Sequence, residues 1–270
     1  MLLSHRPTAP LDAFVDSIWV AERGALPHSR ERSLPTGRAD IVIPLLQDGI
    51  VRYDSVDAIE ATHFRGGIVQ GPRDRFMVRG PGGASSVIGV HFKPAGAVAF
   101  FGGALAELRN RTVLLEDVWG PTARVFREQL QSAPSPAGRL RLMEVQLLQR
   151  LRDSTLGDAM VGQALRRLHG DPSAAAIEPI QQASGCTPAQ FIRRFEAAVG
   201  LTPKRYARVL RFNALLPGLV RCGPRDWAAV ATEGGYFDQS HLIHEFKRLA
   251  GVTPTAYVPL SADQPTHVPV

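Results

Sequence analysis

Residues 227–258 read WAAVATEGGYFDQSHLIHEFKRLAGVTPTAYV, and residues 177–209 read IEPIQQASGCTPAQFIRRFEAAVGLTPKRYARV. Each stretch runs from a short helical segment through a glycine-based turn into a second apolar-periodic segment, and closes on Gly, an apolar residue and Thr-Pro. Two helices joined by such a turn form a helix-turn-helix, so the echo predicts that motif twice in one chain. In the first copy Phe191, Phe195 and Ala198 fall at i, i+4 and i+7 and are expected to face a core. At about 100° per residue, Ala189, Arg193 and Glu196 then face outward, flanked by Ile192 and Arg194. In the second copy Leu242, Phe246 and Leu249 form the buried stripe, leaving Ser240, His244 and Lys247 outside. Thr187, followed by Pro188, and Asp238 are the expected N-caps.

The stretch between the copies, TPKRYARVLRFNALLP at 202–217, predicts a linker helix that Pro217 should end. At roughly 1.5 Å per residue it spans about 22 Å, a spacer for two helices aimed at successive major grooves about 34 Å apart. From Arg193 to Arg211 six basic residues accompany one acid, Glu196. Lys204, Arg205, Arg208 and Arg211, with Arg194 and Lys247, are therefore expected to meet phosphates of double-stranded DNA. Short polar and basic side chains over an aromatic-filled core suit insertion into the major groove, where base edges are read.

Residues 155–260 resemble the DNA-binding domain of AraC/XylS-type transcriptional regulators. The second half carries Gly235-Tyr236, Asp238, Phe246 and Gly251-Val252-Thr253-Pro254; the first carries Gly185, Thr187, Phe191, Arg193, Phe195, Gly200 and Thr202-Pro203. The resemblance implies two helix-turn-helix subdomains joined by one long helix, with Ala189, Ile192 and Arg193 as base readers of the first and Gln239, Ser240, Ile243 and His244 of the second. It also implies RNA polymerase as a partner if the protein is an activator. The chain departs from the family at His244, where Arg is common, and at Trp227, where an aliphatic residue is usual.

The preceding half has a different period. Between residues 30 and 95 the runs ADIVIPLL, GIVRYDSV, FRGGIVQG, RFMVRG and SSVIGVHF alternate or are apolar, and DG, GG, GP and PGG separate them, which predicts antiparallel strands. From about Ala95 the apolar spacing becomes helical. The expected fold class is α+β: a β-rich, cupin-like domain with helices at 1–154, an all-α domain at 155–260, and a flexible tail at 261–270. The elements LPTGRAD at 34–40 and VIGVHFKPAG at 87–96 resemble the sensory domains of some of these regulators. That resemblance implies binding of a small-molecule effector, formation of a homodimer, or both. Arg38, Asp40 and His91, at strand ends, are the candidate polar groups of an effector pocket. Leu140, Met143, Leu147 and Leu151 share one helix face, which offers either a dimer seam or packing against its own sheet.

Composition narrows the function classes. The net charge of +6 and pI near 9.9 permit a polyanionic partner. Two cysteines, Cys186 and Cys222, build no disulfide framework and show no zinc spacing, which fits a reduced cytoplasm. No run of 18 apolar residues and no signal-type start is found, so no membrane association is expected. His241 and His244 lie three residues apart without HExxH or a third ligand; His5, His28, His63 and His91 are scattered; and GGIVQGPRD and RGPGGASS lack GxxxxGK[ST]. Neither a metal nor a cofactor is expected, and the glycine strings read as tight turns. The enzymatic alternative, a DNA-repair methyl transferase fused to the same DNA-binding domain, needs a reactive cysteine, and the first 185 residues contain none. Not being an enzyme is the expectation.

Overall fold

The computed structural model describes residues 1–80, 83–101, 105–151, 157–173, 176–220 and 226–270. The expected domain boundary near residue 155 and Cys222 lie outside the described residues. The N-terminal half forms β1 (Leu2–His5), β2 (Val15–Arg23), β3 (Glu31–Ser33), β4 (Asp40–Pro44), β5 (Gly49–Tyr53), β6 (Thr62–Arg65), β7 (Ile68–Gln70), β8 (Met77–Gly80), β9 (Ser85–Phe92) and β10 (Thr112–Leu114). Two sheets result, ordered β1-β2-β9-β4-β7-β10 and β11-β3-β8-β5-β6, where β11 is His267–Pro269 from the far end of the chain. The ladders within both sheets are antiparallel, as in a double-sheet roll.

Strand alternation divides the first sheet into two working faces. Ile18, Val20, Ile41, Ile43, Ile88 and Val90 are buried on one side, beneath helices. Ser17, Trp19, Ala21, Asp40, Val42 and His91 point the other way and line a cavity shared with the second sheet. The main apolar core therefore lies between sheet and helices, and the space between the sheets is a cavity of mixed polar and apolar lining.

The covering helices are α1 (Val98–Phe101), α2 (Leu115–Trp119), α3 (Thr122–Ser132) and α4 (Pro136–Arg150). Ser135 caps α4 by accepting from the Gly138 N–H at 3.1 Å. Leu140, Met143 and Leu147 are buried in the same core as Ile18 and Val20, with Leu151 packed at its edge. The dimer-seam alternative for this face is thereby overturned: Met143 and Leu147 are 0% exposed and contribute about 1.5–3 kcal/mol each to folding by burial.

The second half contains α5 (Ala159–Gly170), α6 (Ile177–Gln182), α7 (Pro188–Val199), α8 (Pro203–Val220), α9 (Trp227–Glu233) and α10 (Gln239–Ala250). Pro217 does not end the linker helix, contrary to expectation; α8 continues to Val220, and at about 1.5 Å per residue its 18 residues span roughly 27 Å. Proline removes one backbone bond and normally costs about 3 kcal/mol inside a helix. Here it falls in the last turn, where Leu216, Leu219 and Val220 still pack into the core.

The expected flexible tail is also corrected. Val268 is buried beside Leu34 and Tyr257, β11 pairs with β3 in register His267↔Ser33, and the Tyr257 hydroxyl donates to the Pro265 carbonyl at 2.6 Å. Proline and polar composition suggested fraying, but Val268 supplies an apolar anchor and β3 an open edge to pair with. Leu34, Val268 and the flanking Phe76 share one core with Phe191, Phe195, Phe212 and Phe246. The two halves thus pack through common apolar residues.

Candidate nucleic-acid interface and effector cavity

Both candidate recognition helices fold locally as their sequence dictates. Thr187 and Gln190 form a reciprocal capping box at the start of α7, with Pro188 at its first position. The Asp238 carboxylate accepts from the His241 N–H at 2.7 Å and caps α10. Gly200 and Gly251 end the two helices in the left-handed conformation, at φ 81° and 72°. Phe191, Phe195, Leu242, Phe246 and Leu249 are buried. Ala189, Ile192, Arg193, Gln239, Ser240 and His244 are exposed and Ile243 is half-buried, so the candidate base readers share the two outer faces. His241 serves the turn, where its Nδ1 accepts from the Phe237 N–H at 3.2 Å and its ring packs edge-on to Tyr236.

The six candidate phosphate cations fall into two groups. Arg194 makes a forked bond to Asp158 at 2.6 and 2.7 Å. Arg208 forks onto Glu245 with both bonds at 2.6 Å, tying α8 to α10. Arg211 lies over the Tyr236 ring at 5.6 Å, and Arg205 reaches Asp74 in the N-terminal half at 2.6 Å. Lys204 and Lys247, like the base-reading candidate Arg193, are exposed and make no ion pair among the described residues. Glu245 is only 7% exposed, and although burial pushes its carboxyl up, the Arg208 and Arg248 guanidiniums hold it below the usual range.

The connection between β7 and β8 touches both helix-turn-helix units. A Cβ on Gly200 would stand 2.7 Å from Pro72, and one on Gly251 would stand 2.6 Å from Phe76. Between these contacts Asp74 is buried and accepts from Asn110 at 2.8 Å and from Arg205. Burial raises its carboxyl, but these two bonds outweigh that and hold it below its ordinary value. Arg109 adds a bond to Glu196 on α7 at 2.6 Å, and Asn213 donates to the Pro35 carbonyl at 2.9 Å. GPRD at 71–74 is expected to form a plain turn, and the bridge it makes is invisible locally, because nothing in four residues reveals a partner 131 positions away.

The cavity between the sheets encloses about 610 Å³, within the range of small-molecule sites. Arg38, Asp40 and His91 all line it. His91 Nδ1 donates to Asp40 at 2.6 Å, and Arg38 reaches Asp16 at 2.8 Å. Arg52, Arg73, Arg79 and His267, which the sequence alone does not single out, stand on the same wall. Inward-facing arginines within GIVRY and MVRG were the available signal, and His267 gave none because it arrives with the C-terminal strand. Glu31, fully buried behind that wall, accepts from Arg79 at 2.7 Å and from His267. Burial pushes its carboxyl up, yet His267 and Arg79 bring it down to about 2.

Residues 180–258 match the family described as a helix-turn-helix domain, and residues 3–114 match a domain of unknown function, DUF6597. An AraC-like transcription regulator of Streptomyces antibioticus, so named provisionally, is 33% identical over 103 residues, which is 38% of this chain and 34% of that protein. The match therefore spans about a third of the relative's length. Among solved structures, ToxT from Vibrio cholerae aligns over 95% of this chain and 97% of its own at 10% identity and a TM-score of 0.45. The DNA-binding domain of AdpA in complex with a target DNA aligns over 37% of this chain and 86% of its own, at 25% identity and a TM-score of 0.30. Residues 180–258 of this chain thus carry a helix-turn-helix domain, similar over 103 residues to the AraC-like regulator, and residues 3–114 belong to a β-rich domain family without an assigned function.

Proposed function

We propose that the chain is a sequence-specific transcriptional regulator that reads two adjacent major-groove segments with α7 and α10 and responds to a small-molecule effector in the cavity between its sheets. The observation that carries this reading is the pair of capped, glycine-ended helices, each burying an aromatic stripe and exposing Arg193 or His244 with its neighbours. Ala189, Ile192 and Arg193 then contact bases in one groove, and Gln239, Ser240, Ile243 and His244 in the next. Lys204 and Lys247 hold the phosphates. Arg205 joins them once it leaves Asp74. Arg194, Arg208 and Arg211 serve chiefly to fix the helices that carry the readers.

The reading makes the protein a binding protein rather than an enzyme, working in the cytoplasm beside RNA polymerase when it activates. No described helix is long and apolar enough to cross a membrane. The test is selection of bound duplexes by the full-length chain from random DNA, followed by footprinting. Two protected segments on one face of the duplex, about one helical turn apart, are expected. Binding without sequence preference at moderate salt overturns the reading.

A further inference from the structure

Arg52, in β5, lines the cavity, is 8% exposed, and has Nε and Nη1 buried without a hydrogen-bond partner. Its register neighbour is Arg79, whose guanidinium is already committed to Glu31. In the connection between β7 and β8, Arg73 gives two bonds to neutral acceptors, the Asn110 carbonyl and Thr112 Oγ1, and its Nε is also unpartnered. The indole Nε1 of Trp19, whose ring lies over Gly89, is a third buried donor on this lining without an acceptor. Among the described residues the one unsatisfied acceptor of the lining is Gln47 Oε1, and an amide can turn its NH₂ inward instead.

Donors in this number, without acceptors, describe a site built for negative charge. Burial lowers Arg52 to about 9 and Arg73 to about 10, with Arg79 and Arg73 pressing on Arg52 in the same direction. Both guanidiniums nevertheless remain charged at neutral pH. A buried cation without a counter-ion is unfavourable unless something supplies the missing charge, and the carboxylates on the cavity wall are engaged elsewhere: Asp40 with His91, Glu22 with Arg139. Planar guanidinium forks match a carboxylate in two-point geometry. The wall also carries an aliphatic stretch of Val42, Ile50, Val51, Met77 and Val87 beside polar residues such as Ser17, Thr36 and Gln70.

We infer that the cavity binds an organic carboxylate with an apolar body, its carboxylate received by Arg52 and Arg73 and its body lying along the aliphatic strand residues. The inference rests on the effector reading above and names the ligand class of that site.

The test uses the full-length protein, with thermal shift and calorimetry against aliphatic and aromatic carboxylates of two to twelve carbons, their primary amides and alcohols, and inorganic phosphate. Medium-length carboxylates should stabilise the protein and bind at least about tenfold more tightly than the matched amide or alcohol. Phosphate should bind more weakly than they do, for want of an apolar body. Arg52→Met should abolish the preference and, by removing an unpaired buried charge, raise the melting temperature of the ligand-free protein. Amides or alcohols binding as well as carboxylates, phosphate binding more tightly than any of them, or no carboxylate binding at all would overturn the inference. So would a ligand-free Arg52→Met protein less stable than wild type, because Arg52 would then be a structural cation. DNA selection on the same preparation separates the two readings. Carboxylate binding without sequence-specific DNA binding defeats only the regulator, and the converse defeats only the carboxylate.

Discussion

Asp74 and Arg205, 131 residues apart in sequence, meet at 2.6 Å between the two halves of the protein, while the residue before Asp74, Arg73, lines the cavity. A cation on the linker helix is thus held by the same short segment that forms part of the candidate effector site. Releasing it should strengthen DNA binding. In Asp74→Asn the carboxylate is lost but the size is kept, so affinity should rise for specific and bulk DNA alike. The dependence of log K on log salt should steepen by about one unit, as for one added phosphate contact. Salt titration of binding measures both. An unchanged slope means that Arg205 does not reach DNA.

Arg208 and Lys204 lie on the same helix yet should behave in opposite ways. Arg208 is forked onto nearly buried Glu245, so Arg208→Ala leaves that carboxylate with only the longer Arg248 contact and should cost about 1.5–3 kcal/mol of stability. Lys204 is exposed and without an ion-pair partner among the described residues. Lys204→Ala should leave the melting temperature within about a degree and reduce the salt slope by about one unit. Denaturant titration beside salt titration distinguishes the two roles, and equal stability losses from both would remove the distinction.

Local signals made the second half legible. Thr187-Pro188, Asp238, Gly200 and Gly251 are stop and start residues whose effect is confined to one turn, and the i, i+4 aromatics fix which face is buried. Strand runs were legible for the same reason. What escaped depends on contacts distant in sequence. Arg205, Arg208 and Arg194 read as free cations because nothing in their helices shows Asp74, Glu245 or Asp158. The tail read as frayed because its strand partner, β3, lies more than 230 positions upstream. The cavity wall was half visible: Asp40 and His91 were found at strand ends, but Arg52 and Arg79 needed the register of β5 against β8 to bring them together.

Base choice should follow the outer faces of α7 and α10. Arg193→Ala should cost on the order of 1–3 kcal/mol at a selected site and relax preference in one segment only. His244→Arg places a forked donor where a single imidazole stands, and should sharpen selection for guanine in the other segment. Repeating the random-duplex selection with each variant shows which columns of the bound motif change. Changes in the same column from both variants would mean that the two helices do not read separate segments.

The C-terminal strand should make stability depend on pH through Glu31 and His267. Glu31 is held at about 2 in the fold, against an ordinary 4.5, because the bonds from His267 and Arg79 outweigh its burial. A carboxyl lowered by folding contributes stability that is present above about pH 4.5 and lost as pH falls towards 2, on the order of 3 kcal/mol in all. His267 is lowered below 6.5 chiefly by burial, with the Glu31 bond opposing. Its neutral form is favoured in the fold, so its contribution is full above pH 6.5 and declines as pH falls below that, when the unfolded chain takes up the proton first. The melting temperature should therefore fall in two stages between pH 7.5 and 3. His267→Gln should remove the upper stage and keep the lower one, since Arg79 still holds Glu31. Deleting residues 261–270 should lower stability at every pH, because Val268 leaves the shared core and the Glu31 side of the cavity opens to water. A wild-type melting profile flat from pH 7.5 to 5, or one that His267→Gln leaves unchanged in that range, would show that the buried imidazole does not govern this edge of the sheet.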